Sequence, residues 1–236
     1  MKELTVIMPV YNEDEVISQV LTEWMKELRR LEIDFELCIY NDGSTDDTLE
    51  MIRKLEKTNE EIEVIDKSNS GHGSTILQGY QQSKGDWIFQ TDSDNEIKPD
   101  QFKKVWMQRN NGDFIIGIRT NRESPITRKI VSFISRWSIW LLYGKGISDV
   151  NCPYRLFKKE KFEKSFNRIP PDTFAPNVIL SGIACHEKMN IIEVPVMFSA
   201  RSNGKVSVNL QKWNLLKVAV KCWWQTISFR MKIIIE

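Results

Sequence analysis

Histidine and cysteine are scarce in this 236-residue chain, with two of the first and four of the second. The cysteines stand at 38, 152, 185 and 222, far apart and without a C-x-x-C spacing, so they do not assemble a zinc site and read as reduced thiols. No secretory leader is expected, because the first strand signal begins at Leu4, and the cytoplasm is the expected compartment. No apolar run reaches the roughly 18 to 20 residues needed to cross a bilayer without charge. Ile126 to Tyr143 comes nearest, and Arg128, Lys129 and Arg136 interrupt it. Internal repeats and low-complexity linkers are also missing. With 33 basic against 32 acidic residues the net charge is +1, and no nucleic-acid partner is expected.

What is present is a composition of 41% hydrophobic and 28% charged residues, that of a folded globular chain large enough for one α/β domain. The near-zero net charge hides an asymmetry. From Arg201 onward Lys205, Lys212, Lys217, Lys221, Arg230 and Lys232 face a single acid, Glu236, and are interleaved with Trp213, Trp223, Trp224 and Phe229.

The first half alternates two periodicities. Leu4 to Met8 reads as a buried strand stopped by Pro9, and Glu15 to Leu31 carries Val16, Val20, Leu21, Trp24, Leu28 and Leu31 at helical spacing. Phe35 to Tyr40 is a second strand ending in the turn signal Asn41-Asp42-Gly43-Ser44. Ser44 or Thr45 is the expected cap of a helix over Asp46 to Thr58. A third strand over Ile62 to Asp66 leads through the polar loop Ser68 to Gly73 into a helix from Ser74 to about Ser83. Strands at Trp87 to Phe89 and Phe114 to Ile118 flank a helix begun by Pro99 and Asp100. Such alternation predicts a mostly parallel central sheet flanked by helices, with ligands bound beyond the carboxyl ends of its strands. The second half is less regular: helices over 126–143, Val178 to Met189 and Trp213 to Met231, and a strand over Ile191 to Phe198 whose Pro195 suits an edge or a strand end.

Asp92-Ser93-Asp94 follows the fourth strand. Residues two apart in extended chain project to the same side, so Asp92 and Asp94 are placed to offer oxygen ligands to one hard cation, which would in turn bind a diphosphate. Alone, so short and common a motif reads as a solvated acidic turn. Tyr11-Asn12-Glu13, Asp42 and the Gly71 loop fall at the ends of three other strands, and this convergence favours a nucleotide site.

The ordered set PVYNE at 9–13, NDGSTDDT at 41–48, the glycine loop, GDWIFQTDSD at 85–94, RLF at 155–157 and EVPVMFSAR at 193–201 resembles family 2 glycosyltransferases of the GT-A fold. Within them it is most similar to the dolichyl- and polyprenyl-phosphate sugar transferases. The resemblance implies that Pro9, Tyr11 and Glu13 line the base and ribose pocket, with Asp42 bonded to base or ribose and Tyr40 beside it. It implies that Gly71, Asp92 and Ser93 contact nucleotide and phosphate, and that Asp94, with Asp92 and Glu96, holds Mg²⁺ or Mn²⁺. Arg119 would meet the donor's phosphates or sugar, Arg201 and Lys205 would close over the diphosphate, and Arg128 and Ser132 would hold the acceptor phosphate. His72 stands where many relatives carry Lys, and Lys205 follows Gly204 directly, earlier than the family tends to place it.

The expected chemistry is inverting transfer of a hexosyl group from GDP-mannose or a UDP-sugar to polyprenyl phosphate, with a glycan hydroxyl as the alternative acceptor. A phosphate needs positioning more than deprotonation, since its second pKa lies at about 6. A hydroxyl needs a base, for which Asp149 is the candidate; Asp149 is equally placed to tie down Arg155 or cap a turn. A catalytic domain is expected over 1–210, with a nucleotide-sugar half at 1–118 and an acceptor half at 119–210. The basic helix over 211–236 is expected to contact either the cytoplasmic face of the membrane or a second copy in a homodimer. A non-catalytic sugar-nucleotide binding module would use the same strand ends without turnover.

Overall fold

Two inner strands of the sheet are covered on both faces. Every residue of β1 (Leu4–Val10) and β2 (Phe35–Asp42) is buried, the pattern of parallel strands covered on both sides. The edge strands β3 (Ile62–Lys67) and β7 (Ile191–Met197) instead alternate buried with more exposed positions. The computed structural model describes residues 2–121, 136–137, 140–144, 146–174, 176–199 and 224–229.

With β4 (Trp87–Gln90), β5 (Phe114–Thr120) and β6 (Arg155–Lys158), the sheet has seven strands in the order β3-β2-β1-β4-β6-β5-β7. All neighbours are parallel except β6, which runs antiparallel to both β4 and β5. Sequence periodicity did not reveal β6, because four residues ending on Lys158 carry too little pattern. Pro9 does not stop β1: it pairs in register with Tyr40, beyond the last β1–β4 pair at Ile7 and Gln90. Only one neighbour remains there to need its missing N–H. Pro195 lies on the edge strand β7, as its chemistry requires.

Helices α1 (Ile17–Arg30), α2 (Thr48–Glu56), α3 (His72–Gln82), α4 (Phe102–Trp106), α5 (Lys159–Phe166) and α6 (Pro176–His186) pack on the sheet. Successive strand residues face opposite sides, and β4 shows both aromatic layers this builds. Phe89 meets Trp24 of α1, Phe102 of α4 and Tyr154. On the other face Tyr80 of α3 meets Phe157 and Phe166, and its hydroxyl bonds Gln90. Removing a side chain such as Phe89, which is fully buried, costs about 3–5 kcal/mol. Gly79 lets α3 lie close, since a Cβ there would sit 2.6 Å from Ile7 Cγ2. Cys38, Cys152 and Cys185 are buried. Among the described residues no helix is long and apolar enough to cross a membrane.

Candidate active site at the sheet edge

Strand direction collects the chemistry. Because β1 to β5 all run the same way, the 11–13 loop, Asp42, Lys67, Asp92-Ser93-Asp94 and Arg119 emerge at one edge of the sheet. The reversal of β6 brings its entry, residues 146–154, to that same edge.

Two loops there are fastened to each other. Asn12 sits at φ +53°; its amide donates to Ser44 Oγ at 3.0 Å, and the Thr45 amide donates to Asn12 Oδ1 at 2.8 Å. The Glu13 amide donates to Thr48 Oγ1 at 2.8 Å. Ser44 and Thr45 thus brace the 11–13 loop instead of capping α2, which begins later, at Thr48. Pro9 and Glu13 are buried and Tyr11 is half-buried.

Asp42 organises the glycine loop. Its Oδ1 accepts the Ser70 amide at 2.8 Å and its Oδ2 the Gly71 amide at 3.0 Å, and Lys67 donates to Oδ1. Burial works to raise the Asp42 carboxyl, but Lys67 and the Ser70 amide outweigh it and hold the group below the ordinary carboxylate value. Lys67 also reaches Ser70 Oγ at 2.6 Å and Thr75 Oγ1 at 3.1 Å. Sequence reasoning missed Lys67; the parallel pairing of Asp42 with Lys67 is the signal that finds it. Gly71, at φ +89°, is the N-cap of α3, which starts two residues before the expected Ser74. That φ suits glycine, and the space around it is open. Tyr40 turns from this edge into the core, its hydroxyl donating to Gln82 at the other end of α3.

The acids line a cleft with about 30 Å³ of internal space, bounded by Thr91, Asp92, Asp94, Glu96, Arg119 and Phe198 among others. The Glu96 amide donates to Asp94 Oδ1 at 3.1 Å across Asn95, which sits at φ +57°. The Ser199 amide donates to Glu96 O at 2.8 Å, pinning the exit of β7 to this loop. Ser93 is buried. Asp92 Oδ1 is buried without a hydrogen-bond partner among the described residues, with His72 Nε2 3.7 Å away. An orphaned carboxylate oxygen in a cleft shared with two more acids is chemistry that suits a hard divalent cation such as Mg²⁺ or Mn²⁺, although the oxygens of Asp92, Asp94 and Glu96 do not all gather within 4.8 Å of one another.

Arg119 forms the cationic wall. Its Nε and Nη2 each donate to one oxygen of Asp149 at 2.7 Å, a bidentate pair in which the side chains are 8% and 15% exposed. Burial pulls the guanidinium pKa down, yet the bond to Asp149 more than reverses this and leaves it raised. Asp149 therefore ties down Arg119, not Arg155. Arg128, Ser132, Arg201 and Lys205 lie outside the described residues, as do most of the 126–143 helix and the basic C-terminal segment.

A parallel sheet interrupted by one reversed strand, with paired acids at its carboxyl edge, is the GT-A architecture of nucleotide-sugar transferases. The chain belongs to glycosyl transferase family 2, whose family model matches residues 5–166. It is 26% identical over 209 residues to the undecaprenyl-phosphate 4-deoxy-4-formamido-L-arabinose transferase of Proteus mirabilis, a match covering 87% of this chain and 59% of that relative's length. Similar folds are seen in glucosyl-3-phosphoglycerate synthase of Mycobacterium tuberculosis, solved with Mn²⁺, UDP-glucose and phosphoglyceric acid. There the TM-score is 0.68 at 14% identity, over 97% of this chain and 80% of that one. Mannosyl-3-phosphoglycerate synthase of Rubrobacter xylanophilus gives 0.69 at 12% identity, over 98% and 74%.

Proposed function

We propose that this chain is an inverting, divalent-metal-dependent transferase that moves a sugar from a UDP-sugar to polyprenyl phosphate at a membrane surface. The observation that carries the choice of acceptor is the Arg119–Asp149 pair. Both Asp149 oxygens are held by one guanidinium, so the residue best placed to deprotonate a hydroxyl is engaged as an anion clamp. A phosphate acceptor is already ionised at neutral pH and needs no base. The name of the Proteus relative, whose acceptor is undecaprenyl phosphate, supports the same reading.

Asp94, Asp92 and Glu96 would hold the cation. When bound, Mg²⁺ or Mn²⁺ offsets the negative charge that develops on the leaving diphosphate. Arg119 adds a fixed positive charge at the cleft wall, oriented in advance by Asp149. The amides at the start of α3 point the positive end of an eleven-residue helix toward this edge, and Arg201 and Lys205 are assigned to the diphosphate as well. Arg128 and Ser132 are assigned to the acceptor phosphate.

Hydrogen-bond accounting at Asp42 favours uracil over guanine. Guanine presents two adjacent donors and asks for both carboxylate oxygens; uracil presents one N–H. Oδ1 already accepts Lys67 and the Ser70 amide, and Oδ2 accepts the Gly71 amide, which leaves Oδ2 one lone pair.

Membrane contact is assigned to the exposed aromatics Trp137, Trp140 and Trp224 together with the basic tail. The test is transfer by the full chain with Mn²⁺, offering UDP- and GDP-sugars against undecaprenyl phosphate and against a free glycan. Transfer to the lipid phosphate from a UDP-sugar is expected. Transfer to the glycan hydroxyl alone would reassign the acceptor.

A further inference from the structure

Arg155 opens the RLF motif and is fully buried. It occupies the first position of β6, in register with Gln90 on one side and Ile116 on the other. Those two strands carry the site: β4 runs on into Asp92 and Asp94, and β5 runs on to Arg119. Every hydrogen bond that Arg155 makes among the described residues goes to a backbone carbonyl. Its Nε and Nη2 donate to Cys152 O at 3.2 and 2.5 Å, Nη2 to Val150 O at 3.1 Å, and Nη1 to Asn177 O at 2.9 Å.

A buried guanidinium is costly unless its N–H groups are engaged, and these bonds engage four of the five, three of them by seizing the turn that holds Asp149. The Cys152 amide closes that turn on Asp149 O at 3.0 Å. The carbonyl side of the turn is thus fixed by Arg155 from below, while the Asp149 carboxylate fixes Arg119 from above. The Asn177 carbonyl anchors the same fork to α6, and the Asn177 side chain lies 3.1 Å from the Tyr80 hydroxyl.

We infer that Arg155 is the positioning residue of the site: it sets the 149–152 turn so that Asp149 presents Arg119 to the donor's diphosphate. It touches no substrate and acts through Arg119. A lysine cannot reproduce this, because one ammonium does not span three carbonyls that a planar fork reaches together. The inference rests on the transferase reading for its kinetic consequence, though not for the physical link between the two arginines.

The experiment follows the Arg119 Nε–H resonance in ¹⁵N-correlated spectra of the full chain, assigned by its disappearance in Arg119→Lys. In the wild type it should exchange slowly, and in Arg155→Lys at least tenfold faster. Unchanged protection in a folded Arg155→Lys overturns the inference. Should that variant not fold, the wild type decides: below the unfolding transition, the Nε–H exchange rates of Arg119 and Arg155 should rise in parallel with urea. Independent urea dependence overturns the link. In transfer assays Arg155→Lys should raise the donor KM at least tenfold, leave the acceptor KM within twofold, and add nothing further in an Arg119→Ala background. Multiplying effects mean a general structural role and refute it. A wild type that transfers no sugar refutes the functional reading instead, while the resonance still reports on Arg155.

Discussion

Replacing Asp149 with alanine strands a buried cation, and the cost can be worked from the pair itself. Breaking a buried, hydrogen-bonded ion pair by removing one partner costs about 3–5 kcal/mol. Arg119 is 8% exposed and Asp149 15%, so some water reaches the carboxylate and the lower end, about 3 kcal/mol, applies. At about 2 °C per kcal/mol for a domain of this size, Tm should fall by about 6 °C. Calorimetry and urea titration followed by tryptophan fluorescence would measure it, in a cycle with Arg119→Ala. The cycle should show strong coupling, and the apolar pair Arg119→Met with Asp149→Leu should regain at least half of the loss, because it removes both charges together. A shift within about 1 °C for Asp149→Ala, with additive single variants, would refute the account of the pair. Asp149→Asn separates clamp from base. An amide oxygen still accepts one guanidinium N–H, so lipid-phosphate transfer should stay above a tenth of wild type. Loss of a general base would cost about 10²–10⁴-fold.

Asp94→Ala should lower metal-dependent transfer at least about 100-fold, an electrostatic loss of the usual size, with Tm unchanged within about 2 °C; full turnover would remove Asp94 from the metal site. Asp42→Asn should cost about 2 kcal/mol at pH 7, since it weakens charge-assisted bonds to Lys67 and two amides. The folded Asp42 carboxyl lies below its ordinary value, so its stabilisation is present above the unfolded pKa of about 3.9. It fades as pH falls through the folded value. Wild-type and Asp42→Asn melting temperatures should therefore converge below about pH 4; a constant gap down to pH 2.5 contradicts the assignment. Gly73→Ala would place a Cβ 2.3 Å from Thr173 O and 2.7 Å from Phe174 O. Backbone does not yield cheaply, so a loss of about 1–3 kcal/mol is expected, read by urea unfolding.

Much of the first half of the fold is legible in the order of residues alone. The switching of period between Leu4 and Tyr80 is local information, and strands that are largely apolar on both faces announce a sheet covered on both sides. Parallel direction then follows from alternation, and parallel direction is enough to put Asn12, Asp42, Gly71 and Asp92 at one edge. Three further things depend on how distant segments pack. The first is the backward insertion of β6 between β4 and β5, a pairing fixed by long-range ladders that four residues cannot encode. The second is the engagement of the Asp42 carboxylate by Lys67, Ser70 and Gly71, partners set by the neighbouring strand and the loop beyond it. The third is the pairing of Asp149 with Arg119, thirty residues away in sequence, which arises because the reversed strand delivers its entry turn to the same edge as the end of β5. The acids at the edge were legible because their neighbours are local. Which charge each one faces was not, because that depends on where the chain returns.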